Sequence, residues 1–214
     1  MWLPKVGRTP GRDASQAATT RFLLTSAEDW ICSKLDAVEN PELRVSLGLQ
    51  AQTHLLQGHK LDIYALALSD RVKELTGRQF ESIKITKSHS ELTMLWVADV
   101  VPTQRPPETA TVTLKTRISY AKPGFETAIH EATEGIRDAF AKHQQLNLSI
   151  SYTTGLPRTW SRLWEPTIRG VLTSSGAKDL SSSQITDLHF HHKSLGESFE
   201  HWVQLTISTS LTGR

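Results

Sequence analysis

The first third of the chain carries apolar residues at helical spacing. Residues 26–38 predict a helix, because apolar side chains recur every three or four positions behind the capping residue Ser26. Residues 42–58 and 61–76 predict two further helices, and Gly77 follows the second as a natural C-terminal cap. This part of the chain is therefore predicted to be helical.

Beyond residue 80 the pattern changes to alternation of apolar and polar residues. Segments 80–86 and 91–101 predict two strands, joined by the polar turn 87–90 as a β-hairpin. The polar, proline-rich segment 102–108 is the best candidate for an internal link.

The second half predicts alternating strands and helices. Strands are expected at 109–121 and 146–152, separated by a helix over 124–145. A second helix begins near Trp164, because Pro166 fits only in a first turn. The last two strands, 184–193 and 200–210, are predicted to form a hairpin. We expect one core to contain six apolar residues: Ile129, Ile136, Phe140, Leu146, Leu148 and Ile150.

These elements predict an α+β fold with a mixed sheet, helices packed mainly on one face, and a helical N-terminal extension. The expected organisation is a flexible basic arm over residues 1–20, helices and a hairpin over 21–101, and a strand-helix-strand-helix-strand-strand unit over 108–212. The last two form one compact domain. No segment of the sequence repeats another.

Composition restricts the function only loosely. The chain has 214 residues, a formal net charge of +2 and one cysteine, Cys32. A disulfide framework or a cysteine zinc site within one chain is excluded, and a reducing cytoplasmic location is the simplest expectation. No apolar run is long enough to span a membrane, and the N-terminus lacks the apolar core of a secretory signal.

The segment "ITDLHFHHK" is the most conspicuous candidate for chemistry. On a strand, Asp187, His189 and His191 share one face, and carboxylate and imidazole groups are ligands for divalent metals. His201 on the next strand is a candidate fourth ligand. Three groups in a row do not surround a tetrahedral ion, however, so we expect a strand without tightly bound metal and predict no cofactor. No other catalytic motif is present, and no catalytic residue is assigned.

Arginine and tryptophan residues interleave near the fifth predicted helix, which begins near Trp164. Arginine and aromatic groups together suit phosphate contacts and base stacking. The candidate nucleic-acid-binding residues are Arg158, Trp160, Arg162, Arg169 and Lys178. The alternative is that the tryptophans pack in the core and the arginines lie on a solvated helix face.

Residues 110–208 resemble the RusA-like Holliday junction resolvases in their order of elements. The segment "TWSRLWEPTIRGVL" stands where that family has its first acidic motif, and "SSSQITDLHFHHK" stands at the second. The family's acidic residues fall on Thr159 and Ser161 at the first motif and on Ser181 and Ser182 at the second; a family lysine falls on Glu165. Hydroxyl groups cannot replace the carboxylates that hold Mg²⁺, so the resemblance implies the fold without metal-dependent hydrolysis.

Three functional hypotheses follow. The first is a nucleic-acid-binding protein on a resolvase-like fold, with DNA or RNA as its partner and without hydrolysis. The second is a protein-interaction or assembly module without catalytic activity, such as a homodimer that meets through a sheet edge or through apolar helices. The third is a metal-dependent enzyme that uses the strand face of Asp187, His189 and His191.

Overall fold

The computed structural model describes residues 1–6, 16–51, 53–56, 58–100, 109–135, 145–155, 159–173, 182–196 and 203–210. The described strands are β1 (Trp2–Pro4), β2 (Pro41–Leu49), β3 (Ser82–His89), β4 (Leu92–Asp99), β5 (Thr109–Thr116), β6 (Leu146–Thr154), β7 (Ile185–Ser194) and β8 (Val203–Ser210). The described helices are α1 (Gln16–Leu35), α2 (Leu61–Thr76), α3 (Pro123–Ala132) and α4 (Trp164–Leu172). Short 3₁₀ turns precede α4 and β7.

One mixed sheet joins all eight strands in the order β1-β4-β2-β3-β7-β6-β8-β5. The helices form a single layer in which α1 packs on α2, α2 on α4, and α4 on α3. Buried residues at alternate strand positions face this layer, and one hydrophobic cluster runs through both halves of the chain. The prediction of an α+β fold with helices on one face of a mixed sheet is confirmed. None of the described helices combines the length and apolar character that crossing a membrane requires.

The two halves of the chain repeat one topology. Among the described elements, the first half runs β1-α1-β2-α2-β3-β4 and the second runs β5-α3-β6-α4-β7-β8. The strands of each half pair in the same order. The first strand pairs antiparallel with the fourth, the fourth pairs antiparallel with the second, and the second pairs parallel with the third. The repeat lies in the backbone, since the sequence shows none.

The halves meet where β3 pairs antiparallel with β7, and the register there is also symmetric. Glu42, the second residue of β2, lies opposite Ser82 of β3. Asn147, the second residue of β6, lies opposite Asp187 of β7. On that correspondence Lys84 and His189 are equivalent, and they face each other across the ladder. A pseudo-twofold axis therefore passes through this pair. The face of β7 that carries Asp187, His189 and His191, called the polar strand face below, lies at the centre of the molecule.

The predicted helix over 42–58 is wrong, because its first part is strand β2. Leu43, Val45, Leu47 and Leu49 alternate along it, and all four are buried. The parallel neighbour β3 and the antiparallel neighbour β4 enclose β2, so tertiary packing overrides its leucine-rich helical propensity.

Both predicted hairpins are also wrong, for one reason. Strands β3 and β4 are consecutive in the chain, but β2 lies between them, and β6 separates β7 from β8 in the same way. Each β-α-β crossover places the earlier parallel strand in the position that a hairpin partner would occupy.

The flexible arm predicted over residues 1–20 is wrong at both of its described ends. Trp2–Pro4 forms β1 against β4, and Leu3 and Val6 are buried in the core. Helix α1 begins at Gln16, ten residues before the predicted cap at Ser26, and buries Thr19 and Leu23.

The core prediction is confirmed for its described members. Ile129, Leu146, Leu148 and Ile150 are buried in the common cluster. Ile136 and Phe140 lie outside the described residues. Helix α4 begins at Trp164, as Pro166 predicts.

Replacing Gly48 by alanine should destabilise the fold by about 1–3 kcal/mol. A Cβ atom at this position of β2 would lie 2.4 Å from the carbonyl oxygen of Leu92 and 2.9 Å from that of Ser90. Because both obstacles are backbone atoms, neither can rotate away. Urea unfolding of Gly48→Ala checks this. Gly124→Ala is the matched control, since its Cβ would meet only side-chain atoms of Ile118, the nearest at 3.8 Å. Equal stability of the two variants would contradict the prediction.

Candidate functional site

The polar strand face lies on the side of the sheet opposite the helices. Strand β7 turns Leu188 and Phe190 into the core, where both are completely buried, and turns Asp187, His189 and His191 the other way. The predicted division of this strand into two faces is confirmed. The metal candidate His201 lies outside the described residues.

His189 is the most perturbed group on this face. Its Nε2 atom forms a 2.9 Å hydrogen bond with Oγ of Ser82, and its ring centroid lies 3.9 Å from that of His191. Burial, followed by the charges of His191, Lys84 and Arg44, lowers the pKa of His189 to about 3. The ring is therefore neutral at physiological pH.

The charged groups around His189 form pairs within the face. Lys84 Nζ lies 3.6 Å from Asp187 Oδ2, and Glu42 forms an ion pair with Arg44 on β2. Burial raises the pKa of Asp187, while the charge of Lys84 opposes that rise. Glu42 is almost inaccessible, with 1% of its surface exposed, and its Oε2 atom has no hydrogen-bond partner among the described residues.

This arrangement is poorly suited to catalysis. Ser82 is fully buried, and an imidazole with a pKa near 3 is a weak general base at neutral pH. Within the described ranges, no group of three histidine, cysteine, aspartate or glutamate side chains is placed to hold a metal ion. The polar groups of this face instead pair with one another across the junction between the two halves.

The tryptophan residues of the predicted nucleic-acid surface belong to the core. Trp160 and Trp164 are each 1% exposed, and their rings meet edge to face at 4.6 Å. Trp164 stacks on Phe190 at 4.5 Å, and Trp160 stacks on His192 at 5.1 Å. Neither ring is available to stack on a base. Arg158 and Lys178 lie outside the described residues.

Arg162 and Arg169 are exposed and line one cavity between α3 and α4. Arg169 donates hydrogen bonds of 2.6 Å to Glu126 on α3 and to Glu165 on α4. It therefore joins the two helices and carries little uncompensated charge. Of the three predicted nucleic-acid residues that the structure describes, Arg162 and Arg169 lie together at a surface and Trp160 does not.

Lys87 is a buried lysine that the sequence pattern did not predict. Lys87 alternates with Ile83 and Ile85 on the helix side of β3, and its ammonium donates to the carbonyl oxygens of His59 at 2.7 Å and Ser183 at 2.5 Å. Burial lowers the pKa of Lys87 to about 8, although the charge of Asp62 acts in the other direction. Its place among strand apolar positions is the signal that could have shown a buried cation.

Comparisons with known proteins leave the family open. No protein-family model matches the chain, and no curated protein matches it. One solved structure with some likeness is described as "Cyanuric acid hydrolase: evolutionary innovation by structural concatenation", with 10% identity and a TM-score of 0.25. The alignment covers 87% of this chain and 64% of that chain. A likeness at this TM-score assigns neither a fold family nor an activity, and the resemblance to the RusA-like resolvases stays a prediction.

Proposed function

We propose that this protein is an assembly module that forms homodimers through the edge of its sheet at β5. The observation that carries the proposal is the difference between the two edge strands of the sheet in length and in proline content. At one edge, β1 has only three residues and contains Pro4, which lacks a backbone donor. At the other edge, β5 has eight residues without proline and pairs with β8 alone among the described strands.

The side chains of β5 are suited to pairing with a second copy. Val112 and Leu114 point to the helix side and pack against the core, but they are only partly buried. Thr111 and Thr113 are exposed on the other side. An antiparallel pair centred on Thr113 places Val112 opposite Leu114 of the partner subunit, so each copy extends the core of the other.

The electrostatics of β5 permit this pairing. Lys115 is its one charged residue, and in this register it faces Thr111 of the partner subunit, so no like charges meet. The interface joins unpaired backbone groups, which each contribute about 0.5–1.5 kcal/mol when they form a hydrogen bond.

Nucleic-acid binding has less support. Trp160 is buried and Arg169 lies between two carboxylates. The metal-dependent alternative is weakened by the pairs that Asp187 and His189 already form with Lys84 and Ser82.

We expect sedimentation velocity to show a concentration-dependent dimer of the intact chain. Thr113→Glu should shift it towards monomer, because the substitution places two carboxylates face to face across the pair. Ser88→Glu is the matched control, since Ser88 is an exposed hydroxyl residue on β3. A monomer at every concentration would reject the proposal.

Cross-linking tests the register. In a Cys32→Ser background, Thr113→Cys should form a disulfide between subunits, because residues directly opposite on antiparallel strands lie about 4.5–5.5 Å apart at Cα. Lys115→Cys should not, since its copy lies several residues away along the ladder. Efficient cross-linking of Lys115→Cys with none at Thr113→Cys would exclude the proposed register.

A further inference from the structure

The cavity between α3 and α4 has the features of a ligand site. Its volume is about 690 Å³, within the range of roughly 300–1,000 Å³ typical of small-molecule pockets. The segment leading into α3 forms one wall, the start of α4 forms the other, and Leu66 of α2 contributes apolar surface. The exposed ring of Tyr120 and the ring of Pro166 add further apolar contacts.

One arginine pairs with both carboxylates that line this cavity. Arg169 binds both Glu126 and Glu165 at 2.6 Å. Two other cations, Lys122 and Arg162, line the same cavity, and within the described ranges neither forms an ion pair or a side-chain hydrogen bond. Three cationic side chains and two carboxylates therefore line the cavity, which leaves a net charge of +1 when His130 is counted as neutral.

Ser161 adds a polar group to the cavity wall. It lines the cavity with 5% of its surface exposed, and its Oγ atom makes no hydrogen bond with any described residue. A hydroxyl in this position can donate a hydrogen bond to a polar ligand atom or accept one from it. The N-terminus of the ten-residue helix α3 opens at the same wall, and its partial positive charge favours an anion.

We propose that this cavity binds a small organic molecule through its phosphate or carboxylate group. Arg162 can donate two parallel hydrogen bonds to such a group, Lys122 adds a point charge, and the Ser161 hydroxyl donates to a remaining oxygen. The apolar body of the ligand lies against Tyr120, Leu66 and Pro166. Glu126 and Glu165 favour a small ligand over a nucleic acid, because further phosphates of a polyanion would approach these carboxylates.

Calorimetric titration with phenyl phosphate and with benzoate tests the inference, with benzyl alcohol as the uncharged probe and a single-stranded oligonucleotide as the polyanion. We expect saturable binding of at least one aromatic anion and none of benzyl alcohol. The stronger of the two anions identifies the headgroup. Tighter binding of the oligonucleotide than of either small anion would overturn the assignment to a small ligand.

Variants locate the binding. Arg162→Gln and Lys122→Gln should each lower the affinity for the anion by about tenfold, the loss expected for one charge-assisted hydrogen bond. Lys34→Gln, at an exposed lysine of α1, is the matched control and should bind as the natural chain does. Ser161→Ala should weaken binding while the unliganded melting temperature is kept. No saturable binding to the natural chain, or equal affinity in Arg162→Gln and Lys34→Gln, would reject the proposal.

Discussion

Replacing Trp164 by alanine should lower the free energy of unfolding by about 3–5 kcal/mol. Trp164 lies at the first turn of α4, where it is buried against Phe190 of β7 and Trp160. The substitution therefore opens a cavity between the helix layer and the sheet. Urea or thermal unfolding followed by circular dichroism measures the loss.

Two further variants separate packing from polarity. Trp164→Phe should cost much less than Trp164→Ala, because it keeps an aromatic ring and removes a buried indole N–H that has no partner among the described residues. Trp96→Ala, at a tryptophan of β4 that is 38% exposed, should have a small effect. A loss for Trp96→Ala as large as that for Trp164→Ala would contradict the account.

Acidification from pH 7 to pH 5 should destabilise the protein through its buried histidines. The pKa of His189 is lowered from 6.5 to about 3, so the unfolded chain binds a proton below pH 6.5 that the folded chain does not. The stabilisation is present above pH 6.5 and is lost as the pH falls towards 3. Between pH 7 and pH 5 the loss from this one residue is about 2 kcal/mol.

Burial also lowers the pKa of His192, to about 4, so it adds a loss in the same window. Urea unfolding at pH 7 and pH 5 should therefore show a marked fall in stability, and His189→Asn should remove the part that comes from this ring, about 2 kcal/mol. His54→Asn, at an exposed histidine, should keep the full pH dependence. An unchanged pH dependence in His189→Asn would show that the ring is not the titrating group.

The predictable parts of the fold are those with a local cause. Pro166 fixes the start of α4, and alternation from Leu146 to Tyr152 identifies β6 and its buried face. In β2, by contrast, Leu43 and Leu47 satisfy a helical spacing as well as a strand spacing. Only burial between β3 and β4 decides between the two periods, and that burial depends on residues distant in sequence.

The candidate sites follow the same division. Alternation alone places Asp187 and His189 on one face of β7. Their partners Lys84 and Ser82 are brought there by the long-range β3–β7 ladder, which no local pattern predicts. The cavity around Ser161 likewise depends on how α3 and α4 pack together. The sequence therefore indicated its arginines but not the other residues that line it.

The pseudo-twofold axis through Lys84 and His189 has an evolutionary consequence. The two halves share a sheet through one antiparallel ladder, so the join at the centre of the sheet has the geometry of a contact between two identical subunits. A half-length ancestor could build the same eight-stranded sheet by pairing the third strand of its unit with the third strand of a second copy. Fusion then frees each half to diverge. The first half now places the lysine at the axis, and the second places the histidine, an unlike pair that two identical chains could never present to each other.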